Sequence, residues 1–196
     1  MKVTITGQPQ SHRTVSFDAG KNHVLLIEQR LLPHSFEIIR TADFRETARA
    51  IKDMIVRGAG AIGATAAYGF AQGLRAFNGD DLPSFNRHAA EVYAVLKSAR
   101  PTAVDPLNAM NTIRARIESA ATVAQKKEIA LAEAEKFADE DVQHCREIGE
   151  HGLHLIREGA RVLTHCNAGW LAFVDVGSAT APMYAAHPPG PKLHVY

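Results

Sequence analysis

At 196 residues the chain is long enough for one large or two small domains with a substantial core, and 46% hydrophobic against 22% charged residues is ordinary for a globular protein. The formal net charge of +1, with Lys and Arg dispersed among Asp and Glu, leaves no basic stripe for nucleic acid or an anionic membrane. Two cysteines without a disulfide-like spacing fit a reducing compartment, and no stretch resembles a secretory leader or a membrane span, so a cytoplasmic protein is expected.

Residues 1–40 read as β-structure, with strands at 14–17 and 24–28 joined by the turn-rich Asp18-Ala-Gly-Lys-Asn22. Residues 41–158 read as a helical domain. Asp43 and Glu46 suggest a capping box, and the apolar spacing of Phe44, Ala48, Ile51 and Met54 or Ile55 predicts a helix running to Arg57-Gly58. Further helices are predicted over 61–77, over 84–99, from Asp105-Pro106 onward, and over 123–158 with a break near Gly149 or Gly152. Lys126 and Lys127 read as a solvated face of that last helix.

From 159 the pattern changes. A strand at 161–165, a helix ending near His187, the run Pro188-Pro-Gly-Pro191 and a strand at 192–196 spell the opening of a β-α-β unit. A two-stranded parallel sheet cannot cover itself. The expectation is therefore an α/β chain: a small N-terminal β-hairpin, a helical domain, and a Rossmann-like parallel-sheet domain over 159–196 that is incomplete.

Three motifs carry chemistry. Gly58-Ala-Gly60-Ala-Ile-Gly63 matches the dinucleotide fingerprint, but it follows a helical pattern instead of a strand, and Asp80 sits in a turn, so NAD is rejected. Glycines entering a helix N-terminus still expose N–H groups to an anion, with Arg57 beside them; close packing through Gly and Ala explains the motif equally well. Arg100-Pro-Thr-Ala-Val-Asp-Pro106 places a second arginine between helices, where it is either an anion ligand or a solvated C-terminal residue. In Leu163-Thr-His-Cys-Asn-Ala-Gly169 a strand delivers Cys166 and His165 into a turn, the place where α/β folds collect ligands, although a free cysteine is commonly just a small core residue. His151 and His154 could share a metal, but His144 is out of reach and no further ligands join them, so no metal and no cofactor are expected. Trp170 reads as a packing anchor.

These motifs, in this order, resemble 5-methylthioribose-1-phosphate isomerases and their relatives, which include the regulatory subunits of the translation initiation guanine-nucleotide exchange factor. Val24-Leu-Leu-Ile-Glu-Gln-Arg-Leu-Leu-Pro33 is similar to the isomerase N-terminus. The resemblance implies that Cys166 is an acid/base residue, that Arg57, Gly58, Ala59 and Arg100 contact a sugar phosphate, and that Asn167, Ala168 and Gly169 lie close to substrate. Gly60 departs from the proline common in these isomerases, which leaves the particular pentose phosphate open. The family's second catalytic residue, a downstream aspartate, has no counterpart here, and Asp175 does not match it. Little turnover is therefore expected of the chain alone.

The expected reaction, implied by the resemblance, is aldose–ketose isomerisation of a pentose 1-phosphate, 5-methylthioribose 1-phosphate or 5-deoxyribose 1-phosphate, in nucleoside or methionine salvage. Such a substrate has no free anomeric hydroxyl, so the ring oxygen must be protonated while phosphate stays on C1 and hydrogen moves between C2 and C1. That needs an acid and a base in a dry pocket, and Cys166 is expected to rest as the thiol. A homodimer without nucleic acid or membrane partners is expected. The competing readings are a non-catalytic regulatory or scaffold protein like the exchange-factor subunits, or an inactive fragment of the isomerase.

Overall fold

A computed structural model describes residues 1–5, 7–186 and 190–196. The N-terminal β-region forms two sheets. β1 (Lys2–Ile5) and β2 (Gln8–Ser11) make an antiparallel hairpin, and β3 (Val15–Asp18), β4 (His23–Ile27) and β5 (Ile38–Thr41) make a three-stranded antiparallel sheet in the order β3-β4-β5. The predicted strands at 14–17 and 24–28 are β3 and β4, and Asn22 takes the left-handed conformation in the turn between them. Val24, Leu26 and Ile27 of β4 are buried, so this sheet has a core face.

Helix α1 (Phe44–Lys52) is capped by Asp43, whose Oδ1 accepts the N–H groups of Arg45 and Glu46 at 2.8 and 2.9 Å. It stops five residues before the predicted Arg57. Met54 adopts φ 57°, Ile55 N–H returns to Ala50 O at 3.0 Å and Met54 N–H to Ile51 O at 3.3 Å, the two bonds of a Schellman ending. In the connector that follows, Ile55 O accepts Gln29 N–H at 3.0 Å. Apolar periodicity ran on past the helix because Ile55 and Val56 pack inward without being helical.

Helix α2 (Ala59–Arg75) is the axis of the molecule. Fifteen of its 17 residues are buried, and a helix apolar on every side belongs in the middle of a core. Around it pack α1, α3 (Leu82–Ala99), α4 (Asp105–Glu118), α5 (Val123–Gly152) and the three-stranded sheet. Its only buried amide side chain, Gln72, donates to Asn22 O and Thr41 O at 2.9 and 2.8 Å and accepts from Thr47 at 2.7 Å, joining helix, sheet and α1.

Two further expectations are corrected. Lys126 is not solvated: it is 7% exposed, and its ammonium donates to Ile117 O at 2.5 Å and to Glu118 O at 3.4 Å, satisfying carbonyls that end α4. Lys127 likewise reaches Phe77 O, just past α2. The predicted helix after the cysteine is mostly absent, since 163–180 is irregular apart from one 3-10 turn at Trp170–Ala172, and α6 spans only Ala181–Ala186. His187, Pro188 and Pro189 lie outside the described residues. β6 (Ala160–Val162) pairs in parallel with β7 (Leu193–Val195), and bonds from Gly159 N–H to Lys192 O and Thr164 N–H to Tyr196 O extend the ladder. Leu163, Tyr196 and Val195 on this pair are exposed.

Candidate active site

The glycine motif and the second arginine meet. Gly58 caps α2 with φ 103° and ψ 148°, a conformation open essentially to glycine alone, and it makes no side-chain cap bond to the helix. Arg100 ends α3, immediately before Pro101. Between them lies a cleft of about 320 Å³ lined by Gly58, Ala59, Ile62, Arg100, Ala103, Val104 and Asp105. The Arg100 side chain is half-buried, and its Nη1 is buried with no hydrogen-bond partner among the described residues. Such a group is costly to bury unsatisfied and is suited to an incoming anion. Arg57 is exposed and does not line this cleft.

The cysteine turn is placed differently. Cys166 has φ 71° and is exposed, as are His165 and Asn167, while Ala168 and Gly169 are half-buried. None of these residues lines the cleft beside Arg100. The helix predicted to follow the strand at 161–165 does not begin beside the thiol, because α6 begins only at Ala181. The turn is instead fixed by its own backbone: Ala168 O accepts Ser178 N–H at 3.0 Å and the Thr180 hydroxyl at 3.1 Å, and Gly169 bridges to Gly177. Asp175, set aside on sequence grounds, accepts the Met1 ammonium at 2.5 Å and Val176 N–H at 2.8 Å. Cys145 is buried on α5, and burial pushes its thiol up to about 12.

The segment 170–174 joins the two parts. Thr14 N–H donates to Val174 O at 2.9 Å, its hydroxyl to Trp170 O at 3.2 Å, and Gln29 Nε2 to Leu171 O at 2.8 Å. A Cβ at Gly58 would lie 2.3 Å from Ala172 Cα, and one at Gly60 would lie 2.1 Å from Asp141 Oδ1 and 2.7 Å from Phe173 Cδ1. Both glycines are therefore demanded by close approach of this segment and of α5. The motif also follows a connector and not a strand, so its dinucleotide-like spacing has a packing cause.

Asp141, Gln29 and Thr14 escaped sequence reading. Gln29 lies within the quoted N-terminal segment, but Asp141 is one of three consecutive acids on a polar helix, and nothing in the pattern singles it out. His151 closes α5 and His154 lies in the 3-10 turn after it; among the described residues no group of three or more His, Cys, Asp or Glu is arranged to hold a metal. Among them, too, no helix is long and apolar enough to cross a membrane.

Comparison with known proteins converges on one group. The methylthioribose-1-phosphate isomerase of Methylorubrum populi is 43% identical over 201 residues, covering 99% of this chain and 53% of that protein. The crystal structure of 5-methylthioribose 1-phosphate isomerase from Pyrococcus horikoshii matches with a TM-score of 0.87 at 36% identity, over 94% of this chain and 52% of that one. That of translation initiation factor eIF-2B, subunit delta, from A. fulgidus matches at 0.83 and 38%, over 94% and 54%. The chain spans about half the length of the curated relatives it matches. Residues 55–196 match the model of the initiation factor 2 subunit family, and the chain belongs to that family.

Proposed function

We propose that this chain carries the phosphate-binding half of an aldose–ketose isomerase acting on a pentose 1-phosphate of the 5-methylthioribose 1-phosphate type, in methionine salvage. The observation that carries the reading is the unpartnered Arg100 Nη1 in a cleft whose other wall is the first turn of α2, entered through Gly58 with no side-chain cap of its own. The phosphate on C1 takes the Arg100 guanidinium and the backbone at Gly58 and Ala59, and Arg57 supplies a second cation from the rim. Asp105 in the same cleft offers an acceptor to sugar hydroxyls. Cys166 serves as the acid that protonates the ring oxygen, with Asn167, Ala168 and Gly169 beside the sugar. Because the turn lies outside the Arg100 cleft, the substrate must span from one to the other.

The same reading divides the chain into a β-region (1–40), a helical domain (41–158) and the opening of a Rossmann-like domain (159–196). It takes the protein to be a cytoplasmic homodimer with no nucleic-acid partner, which the near-neutral charge supports.

A regulatory protein like the exchange-factor subunits is the second reading, favoured by the structural match to the delta subunit and by an exposed Cys166. Calorimetric titration with 5-methylthioribose 1-phosphate separates the two, since the first reading holds the phosphate in the cleft and binding needs no completed acid/base pair. A charge-assisted bond to a buried anion contributes about 1.5–3 kcal/mol, so Arg100→Ala should weaken binding roughly tenfold or more. Equal affinity in wild type and Arg100→Ala removes the arginine from the site, and absence of binding in both favours the regulatory reading.

A further inference from the structure

The Asp141 carboxylate stands at a junction of three elements. It projects from α5; its Oδ2 accepts Val174 N–H at 2.7 Å, and its Oδ1 occupies the space a Cβ on Gly60 would need in the first turn of α2. Burial raises the carboxyl above its usual range, against the opposing pull of the Val174 N–H bond; the nearby Asp105 raises it further, whereas His144 pulls it down. Holding a carboxylate there is unfavourable in isolation, and the positive end of α2 is a compensating neighbour. The other bonds to segment 170–174 come from the N-terminal β-region, through Thr14 and Gln29. Asp141 grips it from the opposite side.

We infer that Asp141 is a positioning residue whose carboxylate, bonded to Val174 N–H and seated against Gly60, holds segment 173–174 beside the first turn of α2 and so fixes how the cysteine turn stands relative to the Gly58–Arg100 cleft. This rests on the site proposed above for its functional consequence, but the tether itself is a matter of geometry. Segment 170–174 continues directly from Gly169, and the bridge from Gly169 to Gly177 makes the cysteine turn and the segment move together.

The chain's single tryptophan, Trp170, lies in the tethered segment, half-buried with its ring N–H covered, and reports on it without any ligand. Asp141→Ala should shift Trp170 emission to the red and raise its quenching by acrylamide while far-UV circular dichroism stays unchanged. Asp141→Asn keeps an oxygen for Val174 N–H and should restore both signals. Gly60→Ala, whose new Cβ displaces Oδ1, should reproduce the alanine phenotype. Wild-type Trp170 signals in folded Asp141→Ala, or an asparagine variant as perturbed as the alanine one, overturn the tether. Should the alanine variant not fold, hydrogen exchange on the wild-type chain decides: slow exchange at Val174 N–H supports the bond and fast exchange overturns it.

Titration of the same variants with 5-methylthioribose 1-phosphate reads the consequence. Affinity should fall about tenfold in Asp141→Ala, the equivalent of about one buried hydrogen bond, and return in Asp141→Asn. A wild-type chain that binds no sugar phosphate defeats the proposed function, and the fluorescence arm still decides the tether. Binding that is the same in wild type and in a fluorescence-shifted Asp141→Ala overturns the positioning role.

Discussion

Replacing Gly58 by alanine tests how the glycine motif is used. The residue stands at φ 103°, and its new methyl would meet Ala172 at 2.3 Å from Cα, 2.5 Å from Cβ and 2.6 Å from O. The backbone conformation alone costs an alanine about 1–3 kcal/mol, and forcing a methyl into occupied space adds about 1–3 kcal/mol. Together about 2–6 kcal/mol is lost from a total of roughly 5–15 kcal/mol. For a chain of this size that lowers the melting temperature by roughly 5–20 °C. Gly79→Ala is the control: its φ is 125°, but its nearest neighbour, Phe77 Cε1, would lie at 3.6 Å, so it carries the conformational cost without the clash. Thermal unfolding followed by far-UV circular dichroism and by Trp170 emission measures both. A Gly58→Ala midpoint within about 2 °C of wild type, or one equal to that of Gly79→Ala, refutes the close contact with Ala172.

Thiol titration at pH 8 should find one fast-reacting cysteine per folded chain, lost in Cys166→Ser and retained in Cys145→Ser, since Cys166 is exposed and Cys145 is 2% exposed. The Cys145 thiol titrates near 9.0 when unperturbed and at about 12 in the fold, so its contribution to stability is complete below pH 9 and declines as pH rises towards 12. The stability advantage of wild type over Cys145→Ala should shrink across that window; a constant gap in urea midpoint would contradict it. Gln72→Leu removes the side-chain donor of Asn22 O and of buried Thr41 O, at about 1–3 kcal/mol for a buried acceptor left unpaired, while the Thr47 hydroxyl keeps its bonds to Thr41 and Asp43. A urea midpoint equal to wild type would show that the network does not hold sheet to helix.

Local rules were enough for the parts of the chain whose structure is locally decided. The β3–β4 pairing was legible from two apolar runs around a turn, and α1 began where Asp43 offered its cap. The first turn of α4 was marked by Asp105-Pro106, although the cap itself falls on Val104. The errors lie where distant backbone decides. α1 was carried too far because nothing local announces that Met54 turns left-handed or that Ile55 O receives Gln29 N–H. The stretch after Cys166 looks helical by sequence pattern, yet its N–H and C=O groups are used by Thr14, Gln29 and Asp141, residues 33 to 160 positions away. The cleft was half legible: Gly58, Ala59 and Arg100 come together, whereas Arg57 stays on the surface and the cysteine turn lies apart. Spacing along a chain locates elements but does not say which of their residues share a wall.

The burial of α2 also orders how the chain opens. A helix with neighbours on every side cannot loosen by itself, so its amides should exchange with solvent only in the globally unfolded state, while the thin β6–β7 pair opens in a smaller, earlier unit. One wall of the arginine cleft is thus built on the most slowly opening element, whereas the thiol follows closely on β6, an element that opens early.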